Sequence, residues 1–181
     1  KKYLPPLVAG DERACFGVTE PTTGLDTTKL KTRAVRQGDR YLVHGQKVWI
    51  STAQEADKIL LLARTTPLED VKKPTEGLSL FYTDLDRSFV TVREIEKMGR
   101  KCVDSNELFI DGLPIPAGDL IGEEGQGFRQ ILHGLNPERV LIAAEAVGIG
   151  RNALRRAADY ANERVVFGRP IGQNQGVQHP L

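Results

Sequence analysis

Apolar positions along the chain fall into two textures. From Ala14 to about Gly112, short apolar or alternating runs are separated by Gly, Pro, Asp and Asn, the pattern of strands joined by turns. Lys29–Arg36 and Tyr41–Ser51 flank Gln37-Gly38-Asp39-Arg40, which reads as a hairpin loop. Lys58–Arg64, Gly77–Asp84, Phe89–Ile95 and Ser105–Asp111 supply further strands, and Pro67–Glu76, with its prolines and charges, reads as an exposed loop. Short strands with turns this frequent predict an antiparallel sandwich or barrel. Leu113-Pro114-Ile115-Pro116 then breaks the strand pattern, because proline has no ladder donor, and Gly118–Gly127 is loop-like.

After Phe128 the texture is helical. Asn136 suits an N-cap, Pro137 a first helical position and Glu138 a first turn. Val140–Gly150 is apolar on nearly all sides and rich in Ala and Gly, so a helix there must be surrounded by other helices. No other segment of these 181 residues is able to surround it. The chain also begins without Met and stops at His179-Pro180-Leu181. The expectation is a fragment whose partner is further sequence, another subunit, or both. The fold class expected is an α+β multi-domain fragment: an antiparallel β-barrel or sandwich, then part of an α-helical bundle.

Composition narrows the function class. Lys and Arg number 25 against 24 Asp and Glu, so no electrostatic footprint for nucleic acid exists. No apolar stretch approaches the ~20 residues of a membrane span, and the N-terminus lacks the apolar core of a signal peptide. Cys15 and Cys102 form no metal pattern and read as small hydrophobes in a reducing compartment, which points to the cytoplasm, or to the mitochondrial matrix in a eukaryote. His44, His133 and His179 are scattered and no nucleophile elbow is present. Gly122-Glu123-Glu124-Gly125-Gln126-Gly127 has the wrong glycine order for a phosphate loop, and its acids would repel phosphate, so it reads as a flexible interdomain turn.

Four segments are specific. They are Cys15-Phe16-Gly17-Val18-Thr19-Glu20-Pro21, Gly45-Gln46-Lys47-Val48-Trp49-Ile50-Ser51, Arg164-Val165-Val166-Phe167-Gly168, and Gln175. In this order and spacing they resemble the acyl-CoA dehydrogenase family over essentially the whole chain. The resemblance implies residues 1–14 as a linker from an N-terminal helical domain, 15–123 as a middle β domain, and 124–181 as the start of a C-terminal helical domain. It implies FAD as cofactor. Phe16, Val18 and Thr19 match the segment that passes over the isoalloxazine ring. Trp49 would lie along that ring and Ser51 would donate near flavin N5; read without the family, Trp49 is an ordinary core residue and Ser51 a strand-end polar. Arg164, Phe167 and Gln175 match the family's adenine and pyrophosphate contacts.

One departure stands out. Where the family often has Gly-Ser-Asp, this chain has Gly24-Leu25-Asp26, and Leu25 has no side-chain donor to hold a phosphate-bearing ligand. Backbone donors or Thr27 are the substitutes.

The chemistry implied is α,β-dehydrogenation of an acyl-CoA thioester, with a carboxylate taking the α-proton. Leu135-Asn136-Pro137-Glu138-Arg139 resembles the branch of the family that carries this base at the start of the long helix, which makes Glu138 the catalytic base. Three alternatives stay open: Glu138 as an acid that merely suits a helix N-terminus, Glu145 on nearly the same face, and a glutamate later in the whole protein. Asn136 is a CoA contact or an N-cap, and Arg139 a substrate partner or a structural residue. If one helix joins Glu138 to Arg164, it separates them by about 39 Å, further than one FAD reaches along it. The two positions then serve different cofactors, as in the family, where the Arg-Phe-Gln group reaches the neighbouring subunit's FAD. A homodimer or homotetramer is therefore expected, with electron-transferring flavoprotein as electron acceptor. The rival readings are an acyl-CoA oxidase, a flavin-dependent monooxygenase of the same superfamily, and a non-catalytic structural module.

Overall fold

A computed structural model of the chain describes residues 3–181; Lys1 and Lys2, the first residues of the expected linker, lie outside the described residues. The chain divides into two compact units, one ending at Leu132 and the other comprising His133–Leu181.

The first unit opens with α1 (Leu4–Ala9), whose first turn contains Pro5 and Pro6, where a missing N–H is harmless. Tyr3 beside it donates to the Gly118 carbonyl and stacks edge-on against Tyr82 at 4.8 Å. Eight strands follow: β1 (Ala14–Gly17), β2 (Arg33–Gln37), β3 (Arg40–Ser51), β4 (Lys58–Arg64), β5 (Leu78–Asp84), β6 (Val90–Glu94), β7 (Ser105–Pro116) and β8 (Leu120–Ile121). Their order is β6-β7-β3-β2-β4-β5-β8, with β1 added beside β4. The mixed α+β class holds, but the sheet is not purely antiparallel. β1 runs parallel to β4, and β2 meets β4 in parallel at Arg33 and Arg64. Apolar alternation is the same for either direction, so only the path of the connecting chain decides it. Inward side chains from strands across the sheet, among them Cys15, Val43, Leu61, Phe81, Leu108 and Ile115, meet in one buried cluster, so the sheet curls around it.

Several local expectations are corrected. Strand β2 starts at Arg33 and not Lys29, because the Asp26 carboxylate accepts the Thr28 N–H and winds Thr27–Lys29 into a 3-10 turn. The β2–β3 hairpin has a two-residue turn, with Gln37 opposite Arg40 and Gly38 at φ 65°. Leu113-Pro114-Ile115-Pro116 does not break the sheet: β7 runs through it, paired with Arg40–Val43 of β3. Ala117 donates its N–H back to Asp39 on the β3 side. The alternate positions, Pro114 and Pro116, therefore face away from β3, past the end of β6, where no ladder donor is needed. Cys102 is exposed, while Cys15 is buried and its thiol is pushed up to about 12 by burial, which leaves it inert.

The turn Gly122–Gly127 is pinned, not flexible. Gly77 donates to the Gly125 carbonyl, Gly125 donates to Ser79 Oγ, and Glu124 accepts from the Tyr41 hydroxyl and pairs with Arg36. At its end, a Cβ on Gly127 would sit 2.5 Å from the Leu80 backbone nitrogen. Gly127→Ala is expected to lower stability by about 1–3 kcal/mol, read as a lower urea midpoint. An unchanged midpoint would show that the helix start can step away from β5.

The long helix α2 spans Gly127–Glu163 with Pro137 inside it. It begins nine residues before the expected Asn136 cap, so Asn136 is not an N-cap and Glu138 is not in a first turn. Pro137 has no N–H to return to the His133 carbonyl, so α2 runs through it with one backbone hydrogen bond fewer. In the second unit, Val140, Leu141, Ile142, Val147 and Ile149 of this helix are exposed, as expected of an apolar helix without its neighbours. After it come β9 (Val165–Val166), β10 (Arg169–Pro170) and α3 (Gln175–Gln178). The β9–β10 turn is Phe167-Gly168, both at positive φ (53° and 75°), the arrangement of a tight type I′ hairpin. Gly172 packs against Ala161 of α2, closing the hairpin onto the helix. No helix of the described residues is long and apolar enough to cross a membrane.

Candidate functional site

Two of the specific segments meet in the first unit. Strand β1 stops pairing at Gly17, and Val18-Thr19-Glu20 continues off the ladder. It is held instead by bonds from β3: Val48 donates its N–H to the Thr19 carbonyl at 2.9 Å, and Lys47 Nζ donates to the Val18 carbonyl at 3.0 Å. Thr19 and the 47–51 segment of β3 therefore lie side by side. Val18 is buried, Thr19 is half-buried, and Phe16 turns outward from β1 into an apolar groove of about 500 Å³ with Leu4, Leu60 and Tyr82.

Trp49 is the anomaly. Its backbone is left-handed at φ 62°, and its side chain is 58% exposed. A bulky residue there is strained by about 1–3 kcal/mol and persists only when its surroundings over-determine it. The cause is a bulge. Lys47 pairs with Leu108 and Ile50 with Asn106, so β3 carries one residue more than β7 between these pairs. Asn106, fully buried, donates to the Ile50 carbonyl at 2.9 Å and accepts from Gln54 Nε2, while Asp104 accepts the Gln54 N–H. This bracket keeps Trp49 turned out of the core. The hydroxyls of Thr19 and Ser51 form no hydrogen bond among the described residues.

Below these segments is a buried charge network. Lys47, 0% exposed, donates to the carbonyls of Val18 and Leu62 and to the Glu20 carboxylate at 3.0, 2.8 and 2.9 Å. Three acceptors match the three N–H bonds of an ammonium. Glu20 also accepts the N–H groups of Lys31 and Thr32. Burial works to raise the Glu20 carboxyl, but the Lys47 charge and these donors outweigh it and hold it below the ordinary carboxylate range. Burial pulls Lys47 down to about 8 against the pull of Glu20, which leaves the pair ionised at neutral pH. Lys47, Glu20 and Asn106 had no role in the sequence reading. An acid and a base inside two specific apolar strings were the available cue, but only the fold shows that they touch.

The loop after Glu20 is a tight turn, with Glu20 and Thr23 exchanging backbone hydrogen bonds. It leaves Leu25 fully in solvent and commits Asp26 to the Thr28 turn.

In the second unit, Glu138 and Arg139 are exposed on α2, and Arg139 donates to the Asn136 side chain at 2.9 Å. One unbroken helix does join Glu138 to the residue before Arg164. Arg164, Phe167 and Gln175 gather on the C-terminal hairpin and the short helix after it, all exposed, with Phe167 at 99%. The Arg164 carbonyl accepts the Ile171 N–H, so this group is carried by one closed element.

These arrangements suit a flavin: an exposed indole face, free hydroxyls on the locked segments beside it, and an arginine with an exposed aromatic on a rigid turn. Residues 15–113 match the family model described as acyl-CoA dehydrogenase, middle domain, and residues 125–181 the one described as acyl-CoA dehydrogenase, C-terminal domain. The chain is 38% identical over 181 residues to an acyl-CoA dehydrogenase of Bacillus subtilis, a match covering 99% of this chain and 47% of that protein. Among solved structures it is similar to an acyl-CoA dehydrogenase of Geobacillus kaustophilus (TM-score 0.82, 34% identity, 99% of this chain and 47% of that one). It is also similar to a glutaryl-CoA dehydrogenase of Mycobacterium smegmatis in complex with FADH2 (TM-score 0.77, 31% identity, 98% and 44%). The chain spans about half the length of the curated relatives it matches.

Proposed function

The chain belongs to the acyl-CoA dehydrogenase family, and on that premise we propose that the protein carrying it oxidises an acyl-CoA thioester at the α,β bond with FAD. In this reading residues 15–123 are the middle β domain, 124–181 begin the C-terminal helical domain, and residues up to 14 link to an N-terminal one. FAD, when bound, would supply the hydride-accepting chemistry for the β carbon. The chain's own residues bind, orient and exclude water. Trp49 offers the flat apolar face, Thr19 and Ser51 offer hydroxyl donors to the ring's polar edge, and Phe16 and Val18 complete the segment beside it. Glu138 takes the α-proton on a carboxylate oxygen, and Asn136 and Arg139, joined to each other, flank it two residues before and one after as substrate contacts.

Arg164, Phe167 and Gln175 serve the FAD of a second copy, which makes the assembly a homodimer or homotetramer in the cytoplasm, with electron-transferring flavoprotein as acceptor. Leu25, unable to donate, leaves any phosphate of CoA to backbone N–H groups of its turn.

The observation that carries this reading is Trp49, held exposed at φ 62° next to the locked Thr19 segment. A core tryptophan would need neither the strain nor the exposure. The test is an anaerobic titration of the full-length protein with acyl-CoAs of different chain length and branching, followed in the visible spectrum. Bleaching of an oxidised-flavin band by one class is expected. A protein without flavin would leave a structural module, and a flavin that no acyl-CoA bleaches would leave the monooxygenase reading. Reoxidation by oxygen faster than by electron-transferring flavoprotein would make it an oxidase.

A further inference from the structure

Resting on the flavin reading above, we infer that Lys47 is a positioning residue for the cofactor wall: its buried ammonium fixes the peptide that joins Val18 to Thr19. Trp49 and Thr19 come from distant parts of the chain, and their common register is set by two bonds from neighbouring residues of β3. Val48 holds the Thr19 carbonyl, and Lys47 holds the Val18 carbonyl. The second bond has the larger consequence. The Val18 carbonyl and the Thr19 N–H belong to one planar trans peptide and point in opposite directions. Pulling the carbonyl inward to the ammonium turns the Thr19 N–H outward, and that N–H has no acceptor among the described residues.

A methionine would fill the same space at less desolvation cost, because burying a charge is expensive and an apolar replacement of a buried pair is often neutral or better. What methionine lacks is three directed donors. Lys47 uses one on the Val18 carbonyl, one on the Leu62 carbonyl of β4, and one on Glu20. The first is thereby anchored to the sheet, and Glu20 in turn clamps Lys31 and Thr32 across the loop. Without Lys47 the Val18 carbonyl is buried and unpaired, and rotation of that peptide to satisfy it would swing the Thr19 donor away from the Trp49 face.

The test compares Lys47→Met with Leu113→Ala in the full-length protein. Leu113 is buried in the same core on β7, away from the wall, and serves as a control for lost stability. Apoprotein of each is titrated with FAD below both melting temperatures, and the visible band of the holoprotein is recorded. Lys47→Met is expected to weaken FAD binding about tenfold or more and to shift the band. Leu113→Ala is expected to lower the melting temperature while binding FAD within about twofold of the parent. If Lys47→Met alone does not fold, Lys47→Met/Glu20→Gln removes both charges and is read in the same way. FAD affinity and band unchanged from the parent in either Lys47 variant would overturn the inference and leave Lys47 purely structural. A parent protein that takes up no FAD would instead overturn the flavin reading itself.

Discussion

Glu138→Gln in the full-length protein is expected to slow bleaching of the flavin by acyl-CoA by about 10²–10⁴-fold while leaving the oxidised spectrum and FAD affinity unchanged. The amide keeps the size and hydrogen-bonding reach of the carboxylate but cannot accept the α-proton. Glu138 lies inside α2, eleven residues after its first residue, so the helix N-terminus gives it no purpose there. It is exposed in this chain, so as a base it would gain its desolvation only when cofactor and thioester bind. Because α2 continues unbroken to Glu163, it separates Glu138 from Arg164 by about 39 Å along its length, so on the proposed reading the two would serve different flavins. Glu145→Gln is the control. It lies seven residues on, nearly on the same face but about 10 Å further along, too far to share the same substrate carbon. A rate preserved in Glu138→Gln would move the base elsewhere in the protein, and a rate lost only in Glu145→Gln would move it one step along this helix. Stopped-flow absorbance at saturating substrate measures both.

Glu20→Ala is expected to cost about 3–5 kcal/mol, since removing one partner takes the counter-charge from a buried ammonium, which must then lose its proton or stay uncompensated in the core. The parent should show a matching pH dependence. The Glu20 carboxyl is held below its ordinary value in the folded state, so the unfolded chain binds the proton more readily. Its contribution is therefore fully present above the ordinary carboxylate range and is lost as the pH falls through that range and below. Urea midpoints of parent and Glu20→Ala should differ most at pH 7 and converge toward pH 3. Equal midpoints at pH 7 would show that water reaches Lys47. A gap that widens in acid would show that the pair is not ionised. Exposed pairs such as Arg13 with Glu55 are expected to contribute little at any pH.

Much of the fold was legible in the amino-acid order because it depends on local chemistry. Turn residues such as Gly38, the apolar runs of β3, β4 and β5, and the all-round apolar helix declare themselves within a few residues. The errors fell where a neighbour in space overrides a local preference. Pro114 and Pro116 look like breakers until β7 is seen to face them away from β3, beyond the end of β6. Asn136-Pro137-Glu138 is a good helix start that lies inside a helix, because the chain is already wound from Gly127, where the turn before it is pinned to β5. The Gly122–Gly127 turn looked flexible because its partners, Ser79 and Tyr41, are far away in sequence.

For the candidate site, residue type and order by themselves determined which side chains offer an aromatic face, hydroxyls, a carboxylate and a guanidinium, because those properties belong to the residue. Tertiary structure decided what they are able to do together. It set the extra residue that turns Trp49 outward, the buried ammonium that aims the Thr19 peptide, and the closed hairpin that carries Phe167. Each of these rests on a bond between strands distant in sequence. A hydrogen bond depends on distance and direction to within a few tenths of an ångström, and spacing along the chain does not encode that.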